Sequence, residues 1–354
     1  MNNAPDGGTV PIRRSAMGAS RKQAKTSVLA DRIERYGLMV AWAALIVVFG
    51  LLKPGTFFTW GTFSTILGSQ SVLVIITLGL IIPLTANDFD VSIASMTTFS
   101  SMTIAVLNVN HQVPIGWAIV VALASGLALG FVNGFFIIVF RIHSLIITLA
   151  SGTFLHGLTL WMSDSMTISG VDQRLIDFVI VKRILGVPLE FYYAILIATV
   201  IWYLFEFTAI GRRILFVGRG REVAHLSGID TDHVRWGCLI ASAALGALAG
   251  VLYTGTQGAA DPVSGASYML PAFAAAFLGS TSILPGRFNP WGSTVAVYFL
   301  VTGITGLIFL GFSSFIQDMF EGSTYCRVCY GGRRHGHLPL SPTRWPTSVC
   351  CWSN

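Results

Sequence analysis

Residues 91–140 contain no Asp, Glu, Lys or Arg. A stretch of that length without charge offers no face to water, and it reads as lipid-embedded. In hydrocarbon every backbone N–H and C=O must be paired inside the chain, so each crossing is an α-helix of roughly 20 mostly apolar residues. The turn-forming cluster Asn108-Val-Asn-His-Gln-Val-Pro114 divides the stretch into two such helices. Comparable apolar runs at 36–52, 65–84, 143–162, 187–205, 235–255, 268–284 and 291–310 bring the expected total to about nine spans. The fold class expected is an all-α polytopic membrane protein. A composition of 53% hydrophobic and 11% charged residues agrees, since a soluble domain carries roughly 25% charge.

Charge then sets sidedness. The segment 1–35 is polar and holds Arg13, Arg14, Arg21, Lys22, Lys25, Arg32 and Arg35, so it reads as a basic cytoplasmic tail, with Arg32 and Arg35 near enough to meet anionic membrane lipid. It lacks the early apolar core of a signal peptide. Spans one to six occupy 36–205 and return the chain to its starting side. The next segment, 206–235, is a loop with Arg212, Arg213, Arg219 and Arg221 and no acid among them before Glu222. Tail and loop therefore share the cytoplasmic face, as the excess of positive charge on that face requires. Arg141 and Arg287 fall on it too. Small-xxx-small spacings at Gly126, Gly130 and Gly134, and at Gly246 and Gly250, allow close helix approach.

The region 236–322 supplies spans seven to nine and, from Ser313, the start of a tenth helix. Residues 323–354 cannot continue it, and the expected tenth span is read as lost after Gly322. Four of the five cysteines, Cys326, Cys329, Cys350 and Cys351, lie in this atypical tail. Cys326 and Cys329 with His335 and His337 are zinc-ligand types, but the spacing is short for a finger and there is no core to hold a site. The preferred reading is a frame-shifted C-terminus, with no metal site.

The formal charge of +6 does not indicate nucleic acid, because four arginines of the last segment, unaccompanied by any acid, carry most of it. No Gly-x-x-x-x-Gly-Lys-Ser/Thr phosphate loop, His-Glu-x-x-His or Gly-x-Ser-x-Gly occurs, so no catalytic residue and no cofactor are expected. The span interiors read as free of acids, with His156 their clearest ionisable group and a packing residue by preference. A chain without groups to couple to an ion gradient takes its work mechanically from elsewhere. A passive channel or facilitator and an ion-coupled secondary transporter are the alternatives.

The stretch Glu222-Val-Ala-His-Leu-Ser-Gly-Ile229 resembles the loop by which permease subunits of bacterial ATP-binding-cassette importers for monosaccharides dock on their ATPase. Thr85-Ala-Asn-Asp-Phe-Asp-Val-Ser-Ile-Ala-Ser95 is similar to a second motif of these permeases, with Asp90 and Ser92 in place and Ala86, Asn87 and Ala94 where glycine is usual. Asn133-Gly134 and Leu278-Gly-Ser-Thr-Ser282 with Gly286-Arg287 match further, while Phe288-Asn-Pro-Trp291 is bulkier than the family's small residues. The resemblance implies a permease dimer of like or related copies in the bacterial inner membrane, a cytoplasmic ATPase subunit, and a periplasmic or secreted sugar-binding protein. It places Arg219, Arg221, Glu222, Ala224, Leu226, Ser227 and Gly228 at the ATPase contact. Gln70, Asp90, Ser92 and Asn133 are expected along the translocation path, where neutral polar groups suit a neutral hydroxylated cargo. Asp90 also suits a helix N-cap ahead of span three.

Overall fold

The computed structural model describes residues 35–312 apart from Phe58. The basic tail, the start of a tenth helix and the Cys326/Cys329 cluster lie outside the described residues. Eight helices among the described residues are long and apolar enough to cross a bilayer. They are α1 (Arg35–Leu52), α3 and α4 taken together (Trp60–Ser69 and Ser71–Thr85), α5 (Ser92–Ala105) with a π-helical continuation over Val106–Asn110, α6 (Ile115–Val139), α7 (Ser144–Met162), α9 (Leu189–Phe207), α12 (Thr231–Gln257) and α14 (Pro290–Phe309). The fifteen-residue apolar helix α13 (Ala266–Ser280) makes the ninth apolar element. Short helices α2 (Pro54–Phe57), α8 (Gln173–Ile176), α10 (Ala209–Arg219) and α11 (Arg221–Leu226) lie between them.

Span two, expected as one helix over 65–84, is instead broken at Gln70, which closes α3 and opens α4 with ψ near 0°. The break sits where Gly68 meets the ring of Pro188 and the carboxylate of Glu190 so closely that a Cβ there would stand 2.8 Å from Glu190 Oε1. Beyond the break α4 is apolar all round and has no polar stripe to turn outward. All fifteen of its residues are buried, enclosed by α12, α13, α9, α14 and α5.

Around this axis, α12 forms close seams with α5 and α6. Its glycines and those of α6 admit backbone where a methyl would not fit. A Cβ at Gly130 would lie 2.5 Å from Ile240 Cα, one at Gly126 2.9 Å from the Ala243 carbonyl, and one at Gly250 2.4 Å from the Thr97 carbonyl. Interhelical hydrogen bonds follow the same seam, from Thr97 Oγ1 to Gly246 O (3.1 Å), Ser100 Oγ to Ala247 O (2.7 Å) and Thr254 Oγ1 to Ser101 Oγ (2.8 Å). On the outside, α1 leans on α14 through Trp42, which stacks on Tyr298 and donates to Thr302 Oγ1.

The turns sort onto two faces in the order that alternating crossings require. On one face the strand Ile168–Ser169 (β1) pairs antiparallel with Ala259–Ala260 (β4), and Asp172 N–H donates to Asn108 Oδ1. The hairpin of β2 (Arg183–Ile184) and β3 (Val187–Pro188), turned through Leu185 and Gly186 at φ 52° and 79°, lies there too, with Gly186 accepting from Ser64. On the other face Ile283 N–H donates to Arg35 O, and Arg287 pairs with Glu206.

Two expectations about ionisable groups change. The span interiors are not free of acids: Glu190, in the first turn of α9, is 1% exposed and accepts a 2.6 Å hydrogen bond from Thr256 Oγ1, which ties the carboxylate to α12. His156 is not packed inside the chain but stands on the exposed side of α7. Phe288, doubtful as a bulky residue after Arg287, is buried edge-on against Phe277, and Asn289 caps α14 with Pro290 at its first turn.

A candidate coupling site at the arginine-bearing loop

Leaving α9, the chain turns at Thr208, whose hydroxyl accepts from Gly211 N–H and so caps α10. This helix is amphipathic. Gly211, Ile214 and Val217 face the protein, while Arg212, Arg213 and Arg219 are exposed. Gly218 brings α10 against the end of α4, since a Cβ there would overlap the Thr85 carbonyl oxygen. Gly220 separates α10 from α11, and a second turn at Gly228 (φ 79°) leads to Asp230, whose carboxylate accepts from Asp232 and His233 N–H at the head of α12. Those bonds hold the Asp230 carboxyl below its usual range.

The residues expected at the ATPase contact divide by what they face. Glu222, Ser227 and Gly228 are exposed, and Leu226 at 86% and Val223 at 59% leave a bare apolar edge on α11. Ala224 is fully buried and seats α11 on the protein body, so it does not face outward. Arg221 is turned inward. Its Nη2 donates to Asp88 Oδ1 and to the Asn87 carbonyl, both at 2.9 Å.

Asp88 lies in the turn between α4 and α5 and is 2% exposed. Besides Arg221 it holds Arg235 of α12 in a two-toothed pair, Nε to Oδ2 at 2.7 Å and Nη2 to Oδ1 at 2.9 Å. Charge-assisted, bidentate bonds of this kind are among the stronger polar contacts available to a protein. Three parts of the chain thus converge on one buried carboxylate. Asn87 makes the turn at φ 61°, a left-handed conformation that favours glycine and that asparagine tolerates, which explains how it stands where glycine is usual in the resembling permeases.

Two residues further on, Asp90 Oδ1 accepts from Ser92 N–H (3.0 Å) and Ser92 Oγ (2.6 Å) at the head of α5. Asn133 Nδ2 of α6 donates to the same Ser92 hydroxyl at 3.0 Å. Asp90, Ser92 and Asn133, expected on a translocation path, are therefore brought together, but all three are buried between helices of this chain. Burial raises the Asp90 carboxyl above the usual range, opposed by the hydroxyls of Ser92 and Ser242 beside it. Asp90 Oδ2, Asn133 Oδ1 and Ser242 Oγ lack a well-formed hydrogen bond among the described residues. The turn is also fastened to α7, with Phe89 N–H on Ser144 Oγ (3.1 Å) and Val91 N–H on Thr148 Oγ1 (3.2 Å). Gln70 does not join this group. It sits at the far end of α4, about 22 Å away at 1.5 Å per residue.

The family model described as branched-chain amino acid transport system / permease component matches residues 62–323, which takes in the whole arrangement from α3 through the loop to α14. The chain belongs to this permease family. Among its curated relatives, the D-allose transport system permease protein of Escherichia coli K12 is 28% identical over 82% of this permease and 88% of its own length. The ribose import permease protein of Bacillus subtilis is 30% identical over 82% and 90%, and that of Haemophilus influenzae 29% over 82% and 87%. No solved structure matches the chain. The permease is a multi-pass membrane protein and not an enzyme.

Sequence reasoning missed Asp88, Arg235 and Ser242 as members of the site. A signal for Asp88 was present: an acid in a short turn on the same face as four arginines that have no acid among them. Nothing local marks Ser242, which is one small residue of α12 among many.

Proposed function

We propose that this permease is the membrane-spanning subunit of an ATP-driven importer that carries a neutral monosaccharide across the bacterial inner membrane. Two permease copies form the pathway, a cytoplasmic ATPase binds the face bearing Arg35 and the loop 206–235, and a substrate-binding protein delivers sugar to the opposite face. The relatives named for D-allose and ribose support the cargo class, and the match to a permease component of a transport system supports ATP hydrolysis in another chain. The observation that carries the ATPase contact is the exposed edge of Val223, Leu226 and Glu222 on α11, flanked by the unburied Arg212, Arg213 and Arg219. An apolar centre with a charged rim is the make-up of a docking surface. Motion received there passes to α10 and α12, between which α11 is slung.

Glu222→Arg reverses charge on the docking edge without touching a buried group. Uptake of labelled monosaccharide by cells is expected to fall at least tenfold while the protein level in the membrane holds. Unchanged uptake rejects the contact. A cysteine placed at Leu226 and labelled only from outside the cell rejects the sidedness.

A further inference from the structure

Resting on that reading, we propose that Asp88 is the positioning residue through which displacement of α11 reaches the membrane-embedded helices. The geometry isolates it. Arg221 opens α11, and its guanidinium binds Asp88 Oδ1 and the Asn87 carbonyl. The same carboxylate is held bidentately by Arg235, one turn into α12. Asp88 is 2% exposed, so its carboxylate is shielded from water. A force on α11 therefore acts at once on α12, the helix lining α4, α5 and α6, and on the turn that starts α5.

From that turn the connection runs into the buried polar group. Asp90 is fixed to Ser92, Ser92 receives Asn133 of α6, and Phe89 and Val91 are tied to Ser144 and Thr148 of α7. Among the described residues no comparable link leaves Arg212, Arg213 or Arg219, which are exposed and serve the outer surface. The two pairs on Asp88 also differ in kind. Arg235 is largely covered (12% exposed) and holds the fold, whereas Arg221, at 41%, is the outer tooth of the pair, on the side where a partner would press on α11.

The test uses the assembled importer, with its ATPase and substrate-binding protein, in liposomes, and reads sugar moved per ATP hydrolysed. Labelled D-ribose and D-allose are the probes, the faster one in the wild type being kept. Arg221→Gln leaves Asp88 paired with Arg235 and should fold. It is expected to lower the ratio of sugar to ATP tenfold or more while assembly and basal hydrolysis stay within twofold. Asp88→Asn is expected to lower the ratio as far, with a loss of yield because Arg235 is left without its carboxylate, and the double variant to have a ratio no worse than Asp88→Asn alone, because the two residues act as one link. Full additivity of the two substitutions, or a wild-type ratio in Arg221→Gln, overturns the proposal. A merely structural role would lower the melting temperature and the yield of complex without changing the ratio, and that outcome also overturns it. Wild-type importer that takes up neither sugar with ATP present refutes the functional reading itself, independently of any variant.

Discussion

Replacing Gly250 by alanine sets two effects of opposite sign against each other inside α12. An added Cβ stands 2.4 Å from the Thr97 carbonyl oxygen and 2.7 Å from Ser100 Cβ, so α5 must retreat by about 1 Å to restore ordinary contact. The atom in the way is helix backbone and cannot turn aside as a side chain would. Overpacking of this kind costs about 1–3 kcal/mol. Retreat also lengthens the bonds from Thr97, Ser100 and Thr254 that cross the seam, each worth about 0.6 kcal/mol in a membrane protein. Against these stands a gain of about 0.4–1 kcal/mol from the lower unfolded-state entropy of alanine. The net is a loss of about 2 kcal/mol. Gly237, in the same helix with nothing within 4 Å of its added Cβ, supplies the control and should be stabilised by about 0.4–1 kcal/mol on the same change. Equilibrium unfolding in mixed micelles compares the two directly. Equal shifts of one sign for Gly237→Ala and Gly250→Ala would refute the claim that backbone contact, rather than helix propensity, sets the need for glycine here.

Burial raises the Asp90 carboxyl, so folding takes up a proton between the unfolded and the folded value, and stability declines as pH rises through that window. Asp90→Asn should remove this slope, which unfolding of both proteins across about pH 4–8 would show; a difference constant with pH counts against it. Asn289 caps Gly292 N–H and donates to the Gly279 and Ser282 carbonyls from a buried position, so Asn289→Ala should cost about 2–4 kcal/mol, read as an earlier unfolding midpoint.

Much of the fold was legible because each crossing announces itself locally. A helix in lipid must be long, apolar and continuous, and the observed bounds of α7, α9, α12 and α14 fall within a few residues of the expected ones. The break at Gln70 was not legible, since Gly68 and Gln70 are unremarkable until Pro188 and Glu190 are packed against them. Nor did hydropathy separate α4 from α6. Both are strongly apolar, yet α4 is enclosed on every side while α6 buries only one face, because lipid and protein interior ask the same thing of a side chain.

The site divides in the same way. The arginine loop stood out as a run of unbalanced charge, and Asp90, Ser92 and Asn133 stood out through a motif. Their inward or outward aim did not. Asp88 lies 133 residues from Arg221 and 147 from Arg235, and which acid meets which guanidinium depends on how α4, α5 and α12 cross. Sequence alone settled that this chain spans a membrane many times, because the cost of unpaired backbone in hydrocarbon is paid residue by residue. Only the tertiary structure decided that Arg221 points inward and Leu226 outward, because that choice rests on contacts between helices far apart in the chain.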